Sequence, residues 1–433
     1  LPHRLSTRMP DFESRFSNFL DARRAADSDV SDVAAAIIDD VRTRGDAALV
    51  EYTERFDRVR HEPESFRVTG AEVAAARASC DAGELEALEM AARRIEAFHA
   101  RQVPGDLEWE DEEGVGLAMR WRPVASVGLY VPGGRAAYPS SVLMNAIPAR
   151  VAGVPRRVVT VPAPDGEIRP LVLAAVDMAG VSEIYRLGGA QAVAALAYGT
   201  RTIRPVDKVV GPGNAYVAAA KRLVFGQVGI DSIAGPSEIL VVSDGDSDPA
   251  WIAIDMLSQA EHAEDAQAIL VTDDAGFARR VETEIDETLA RLPRSGIAAA
   301  SWRDHGAVIV VGSLDEAPGL VDRVAPEHLE LAVADPAWFA ERIGNAGAVF
   351  LGRHTPEAIG DYIAGPNHVL PTGRTARFSS GLSVLDFMKR TNTIRCDAGS
   401  LSRIGPAAMV LAEAEGLHAH AWSIASRLNA IGD

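Results

Sequence analysis

Cysteine is almost absent from this chain: two thiols, Cys80 and Cys396, in 433 residues. They lie far apart and match neither a CxxC pair nor a zinc-finger spacing. A disulfide framework and a thiolate metal centre are thereby excluded as organising features. No apolar run approaches the ~20 residues needed to cross a bilayer. No apolar core follows a basic N-terminal stretch, so no secretory leader is expected and a cytoplasmic protein is the default. Cations are outnumbered, 43 Lys and Arg against 61 Asp and Glu, and the net charge of −18 disfavours nucleic acid or an anionic membrane as partner. Low-complexity segments and internal repeats are absent, as are the metalloprotease HExxH and the dinucleotide fingerprint GxGxxG after a strand. Histidine is scarce as well, ten in all, yet five of the ten (His262, His328, His368, His418 and His420) stand in or beside four short polar segments. A titratable, metal-binding side chain gathered in this way points to chemistry.

What is present reads as a soluble α/β protein of several structural units. Residues 1–100 carry helical periodicity, as at Phe12, Phe16 and Phe19, and Ala71 to Arg101 forms one long Ala/Glu/Arg-rich stretch. Val115 to Val131 alternates like a strand. Short apolar runs then alternate with helical segments: 157–161, 183–187, 208–210, 238–242, 266–272, 307–311 and 348–351 as strands, with helices at 171–179, 190–198 and 215–224 among those between them. That order predicts doubly wound parallel sheets, and about nine strands exceed one comfortable sheet, so two modules are expected. The last fifty residues are Ala-rich, helical from Arg403 to Leu428, with no further strand expected.

The chemistry-bearing residues fall along this frame. Gln259 and His262 are three apart on a predicted helix, 251–262, and so share a face. Asp361 and His368 add an oxygen and a nitrogen donor within eight residues, and Glu415 and His420 lie in the C-terminal helices. Imidazole, carboxylate and amide donors suit Zn²⁺ or Mn²⁺. Glu327-His328 could supply two proton-transfer groups, provided they sit at a strand end or bend, since neighbours within a strand face opposite ways. Three strand exits, Tyr130-Val131-Pro132-Gly133-Gly134, Gly188-Gly189-Ala190-Gln191 and Gly211-Pro212-Gly213-Asn214, could line a nucleotide crevice.

Taken jointly, these segments resemble a known family. Ile230-Asp231-Ser232-Ile233-Ala234-Gly235-Pro236-Ser237-Glu238 running on to Ser258-Gln259-Ala260-Glu261-His262 is similar to the signature of the histidinol dehydrogenases. So are Val127 to Gly134, Gly211 to Val217, Pro326 to Glu330 and Asn367 to Thr372. The resemblance implies an α/β fold of two incomplete Rossmann-like doubly wound modules with helical N- and C-terminal extensions. It implies an N-terminal extension over 1–25, a zinc and catalytic module from 26–125 and 238–380, an NAD-binding module over 126–237, and a C-terminal extension over 381–433 that reaches the partner of a homodimer. It implies oxidation of L-histidinol to L-histidine through L-histidinaldehyde with two NAD⁺ and one zinc per subunit. Zinc would be held by Gln259, His262, Asp361 and a partner's His420. Substrate would meet Ser237, Gln259, His262, His328, Asp361, His368, Glu415 and His420, NAD⁺ would meet Tyr130, Gln191 and Asn214, and Glu327 and His328 would be catalytic. The rival expectation is a zinc- and NAD-dependent relative acting on another small polar alcohol.

Overall fold

The computed structural model describes residues 2–21, 29–133, 138–233 and 235–428. Gly134 and Ala234, quoted in the motifs above, lie outside the described residues, as do 22–25 of the N-terminal extension and the last five residues. Strand β1 (His3–Ser6) comes first. After a series of helices come β2 (Leu107–Glu110) and β3 (Gly116–Pro123). Five strands follow: β4 (Ser126–Tyr130), β5 (Arg156–Val161), β6 (Glu183–Arg186), β7 (Lys208–Val210) and β8 (Gly229–Ile230). Another five are β9 (Glu238–Ser243), β10 (Gln267–Thr272), β11 (Ala307–Val310), β12 (His328–Ala332) and β13 (Ala348–Leu351), and β14 (Met388–Arg395) is the last described strand.

Two parallel sheets result. One has the order β6-β5-β4-β7-β8, the other β1-β11-β10-β9-β12-β13. In each, two strands step one way from a first strand, β4 or β9, and the next two step the other way, which is the doubly wound pattern with a switch point beside that first strand. The switch points fall between β4 and β7 and between β9 and β12. Both β9 and β10 are buried at every residue, as strands covered on two faces must be. Leu240 and Val242 pack into one apolar cluster and Ile239 and Val241 into another, following the period-two alternation of a strand.

Several boundaries differ from the sequence reading. The helices Asp29–Arg44, Gly70–Ala78 and Ala82–His99 pack on helices of the five-stranded sheet. This places 29–99 with the module of 126–237, whereas the expectation joined 26–125 to 238–380. The reason is an apolar match: Ile37, Ile38 and Val41 close over Val193 and Val217, while Leu88 and Ile95 close over the opposite face with Val142 and Ile147. The long 71–101 stretch breaks at Ser79-Cys80, where Asp81 caps a new helix by accepting the Gly83 and Glu84 N–H groups. A strand does occur within the last fifty residues: β14 pairs antiparallel with β3 along its whole length, and β2 adds to β3 from the other side. Its sequence, MKRTNTIR, has no apolar alternation because nearly all of it is exposed; the ladder alone defines it.

Candidate functional site

The site forms where the amino edge of the six-stranded sheet meets the carboxyl edge of the five-stranded one. His328 is the first residue of β12, and Glu327 precedes it. The chain arrives there through Ala325, a non-glycine residue at φ 49°. Left-handed backbone costs an alanine ~1–2 kcal/mol and turns the chain sharply into the strand. The acid and the imidazole thus converge at a strand end, as their adjacency demanded.

His328 Nδ1 lies 3.0 Å from the Glu238 carbonyl oxygen. A carbonyl only accepts, so Nδ1 carries the proton, and Nε2 is the ring nitrogen left for proton transfer. Nε2 faces Glu357 at 3.6 Å and Asp361 at 3.7 Å. Burial opposes the imidazolium, but Glu327, Asp361 and Glu357 outweigh it and raise His328 to about 10. Glu327 is buried and accepts the Glu238 N–H through Oε2 at 2.9 Å. Burial pushes its carboxyl up to about 7, against the pull of His328. Glu357 rises to about 8 through burial and the Asp361 charge. Asp361 is held at about 2, because its contacts with His328 and the charges of His368 and His262 overcome its own burial.

Gln259 is buried near the end of the helix Pro249–Ala260, and both polar atoms of its amide lack a protein partner. Leaving a buried amide unpaired costs several kcal/mol at most and ~1–3 kcal/mol in typical mutational data, so the geometry calls for a ligand there. That helix contacts the short helix Glu357–Tyr362 that carries Asp361, and Ser258 Oγ reaches Glu357 at 3.4 Å. His262 follows at the mouth of the site, exposed and close enough to Asp361 for their charges to interact. The imidazole and the ionised carboxylate are ordinary zinc ligands, and the buried amide offers a less usual oxygen donor. A second grouping overlaps it: ligand atoms of His328, Glu357 and Asp361 all lie within 4.8 Å of one another.

His368 closes the cluster. Its Nδ1 donates to the Asp361 carbonyl at 2.9 Å, and its Nε2 meets Ser141 Oγ at 3.2 Å. Ser141 stands in the first turn of the helix Pro139–Val151, on the other module. Asn367 reinforces this seam by donating to the Met144 carbonyl at 2.6 Å. Ser237 sits one residue before β9.

The residues expected to meet coenzyme gather at the carboxyl edge of the five-stranded sheet. Tyr130 ends β4, Gln191 lies in the first turn of Gly189–Tyr198 after β6, and Asn214 caps Ala215–Val224 after β7. The Tyr130 hydroxyl accepts the Gly189 N–H at 3.1 Å, and burial pushes it up to about 12. Gln191 is buried with its Oε1 unpartnered. Glu415 and His420 are not drawn into this cluster within one chain. Both are exposed, at the junction of the helices Ala398–Ala414 and His418–Ala425, which pack chiefly on each other.

Sequence reasoning passed over Glu357, Ser141 and Glu238. Glu357 was detectable, four residues before Asp361 and therefore on the same helix face. Ser141 carried no signal, because its role depends on a contact across 227 positions. Gly347 was also silent. A Cβ there would stand 2.5 Å from the Glu327 carbonyl oxygen. Gly347→Ala is therefore expected to displace Glu327 and His328, lowering kcat by roughly 10² and lowering Tm. An unchanged kcat would show that the strand end tolerates movement.

Three comparisons bear on the chain as a whole. The family model described as histidinol dehydrogenase matches residues 20–428. Among curated relatives, the histidinol dehydrogenase of Rhodospirillum rubrum is 63% identical over 430 residues, covering 99% of each chain. That of Cereibacter sphaeroides is 60% identical over 433 residues, covering both chains fully. The crystal structure of histidinol dehydrogenase from Elizabethkingia anophelis is similar with a TM-score of 0.93 at 35% identity, over 100% of this chain and 99% of that one.

Proposed function

This chain belongs to the histidinol dehydrogenase family, and from that premise we propose how its residues divide the work. The enzyme oxidises L-histidinol to L-histidine, the last step of histidine biosynthesis. We assign a zinc site to Gln259, His262 and Asp361, with His420 supplied by the second copy of a homodimer. The orphaned amide of Gln259 supports this set over His328, Glu357 and Asp361, because a metal on His328 Nε2 would leave no free ring nitrogen to act as base. Exposed Val410, Leu411 and Trp422 on the C-terminal helices support the homodimer, since they present an uncovered apolar face. NAD⁺ is assigned to the edge carrying Tyr130, Gln191 and Asn214. A cytoplasmic location completes the proposal.

When bound, zinc would hold the imidazole and amino nitrogens of the substrate, and NAD⁺ would accept one hydride in each of two oxidations. In the first, His328 Nε2 takes the hydroxyl proton while the Glu238 carbonyl holds the ring in the required tautomer. The cluster of Glu327, Glu357 and Asp361 favours a protonated His328 in the metal-free chain, and a divalent cation held beside Asp361 would offset those charges and make Nε2 the more readily available base. In the second, Glu327 takes a proton from the water that attacks the aldehyde, His328 returns the proton it holds to the aldehyde oxygen to complete the hydrate, and the freed Nε2 then takes a hydroxyl proton of that hydrate as the second hydride leaves. Ser237, His368 and Glu415 are assigned to orienting the substrate, Glu415 from the second copy.

The observation that carries this reading is the Ser141–His368 contact, which joins the catalytic cluster to the edge assigned to coenzyme. The test is NADH formation at 340 nm from L-histidinol and NAD⁺, counted per histidinol consumed, before and after chelation. Two NADH per histidinol, lost on chelation and restored by zinc, is the expected result. No turnover with zinc bound would move the assignment to another small polar alcohol.

A further inference from the structure

Lysine is the scarcest cation in this chain, present only as Lys208, Lys221 and Lys389. One of the three is nearly inaccessible. The Lys221 side chain is 1% exposed and forms an ion pair with Asp231, which is 4% exposed. Removing two charges from water costs more than their attraction commonly returns, so such a pair is weak grounds for stability and calls for another explanation. The hydrogen bonds supply one. Lys221 Nζ donates to the Gly211 carbonyl at 2.9 Å, and the Gly211 N–H donates to Asp231 Oδ2 at 2.8 Å. The pair therefore takes both backbone polar groups of a single residue.

Gly211 is the first residue after β7, at the switch point of the five-stranded sheet. It adopts φ 114°, and a Cβ on it would lie 2.1 Å from the Tyr130 carbonyl oxygen. Nothing larger fits between the two strand exits. The turn that Gly211 opens runs to Asn214, whose Oδ1 accepts the Val217 N–H at 3.2 Å to start the helix that carries Lys221. The ion pair, the turn and the helix form a closed loop of contacts around the residues assigned to coenzyme. Asp231 also begins the connector 231–237, which leaves β8 and delivers Ser237 and β9 to the catalytic cluster.

We propose that Lys221 and Asp231 are positioning residues for coenzyme: their buried pair holds Gly211-Pro212-Gly213-Asn214 against the end of β4 in the shape that receives the dinucleotide. This rests on the assignment of NAD⁺ to Tyr130, Gln191 and Asn214. The pair touches neither substrate nor coenzyme and acts through the backbone of Gly211. A ligand edge set in advance loses less freedom on binding and so binds more tightly.

The test compares the full-length zinc-loaded enzyme with K221M/D231N, which removes both charges together and so strands neither, and with Lys221→Arg, which keeps the cation. The double variant is expected to raise the KM and calorimetric Kd for NAD⁺ by about tenfold or more, to leave zinc content unchanged and histidinol KM within about twofold, and to be partly rescued in Lys221→Arg. An unchanged NAD⁺ affinity in a folded double variant overturns the proposal, as does an equal loss of histidinol and NAD⁺ affinity, which is what general loosening would give. A wild-type measurement covers failure to fold. Hydrogen exchange at the Gly211 amide should be slow before NAD⁺ is added and little changed after it; fast exchange in the free enzyme overturns a pre-set turn. Wild-type enzyme that binds no NAD⁺ by calorimetry overturns the coenzyme assignment itself, whereas wild-type binding with an unaffected double variant overturns only the positioning role.

Discussion

Glu327→Gln should uncouple the two oxidations, lowering the aldehyde step by roughly 10²–10⁴ while costing the alcohol step less than about tenfold. The asymmetry follows from what each step requires. Only the second consumes water, and Glu327 is the buried carboxyl whose affinity for a proton, about 7, suits accepting one near neutrality. The amide preserves an oxygen to accept the Glu238 N–H, so the strand end should keep its shape. Single-turnover assays begun from L-histidinol and from L-histidinaldehyde separate the steps, and the yield should fall from two NADH toward one. The wild-type aldehyde step should also decline as pH drops and Glu327 takes up its proton. A cation at Asp361 would stabilise the carboxylate, so the part of that decline owed to Glu327 should fall at or below pH 7 in the metal-loaded enzyme; the Gln variant should lose that part and keep the part owed to His328. Equal loss of both steps would remove Glu327 from water activation.

Much of this site was legible in the sequence, and the reason is chemical. Gln259, His262, Glu327, His328, Asp361 and His368 belong to scarce or charged types in short segments, and the parallel strands that carry or flank them are apolar runs whose limits need little context. The strand Ala348–Leu351 has the limits its sequence suggested. What stayed hidden depended on contacts distant in sequence. Strand β14 is defined by its ladder to β3 with no apolar pattern of its own, and β1 joins its sheet by pairing with β11 some three hundred residues away. The helices of 29–99 were placed with the other module because their periodicity shows that one face is buried and does not show what buries it. Ser141 and Gly347 matter through a hydrogen bond and a close approach that composition cannot register.

The two modules share a strand order and use opposite edges. In the five-stranded sheet the assigned residues leave the carboxyl ends of the strands, where doubly wound sheets ordinarily take ligands. In the six-stranded sheet the residues proposed for catalysis, Glu327 and His328, stand at the amino end of β12, beside Glu238 at the amino end of β9. One edge of each kind, facing each other across the Ser141–His368 seam, would on the assignments proposed above place a hydride acceptor opposite a base without either sheet having to supply both.

That arrangement leaves two candidate cradles for the cation, and His262→Asn distinguishes them. If zinc rests on Gln259, His262 and Asp361, replacing the imidazole should weaken metal binding by at least 10–100-fold, the range already seen for outer-sphere partners. Zinc measured by atomic emission after gel filtration should then fall well below stoichiometric. His262 is exposed, so its loss opens no core cavity, and the metal-free variant should melt close to the metal-free wild type. Glu357→Gln should do the reverse: metal stays, because Glu357 is not among the three assigned ligands and the amide keeps an oxygen facing His328 and Ser258. Were the cation held instead by His328, Glu357 and Asp361, the outcomes would exchange, with Glu357→Gln losing zinc and His262→Asn keeping it. In that case His328 Nε2 would be occupied, and the base for the alcohol step would have to be sought among the remaining carboxylates.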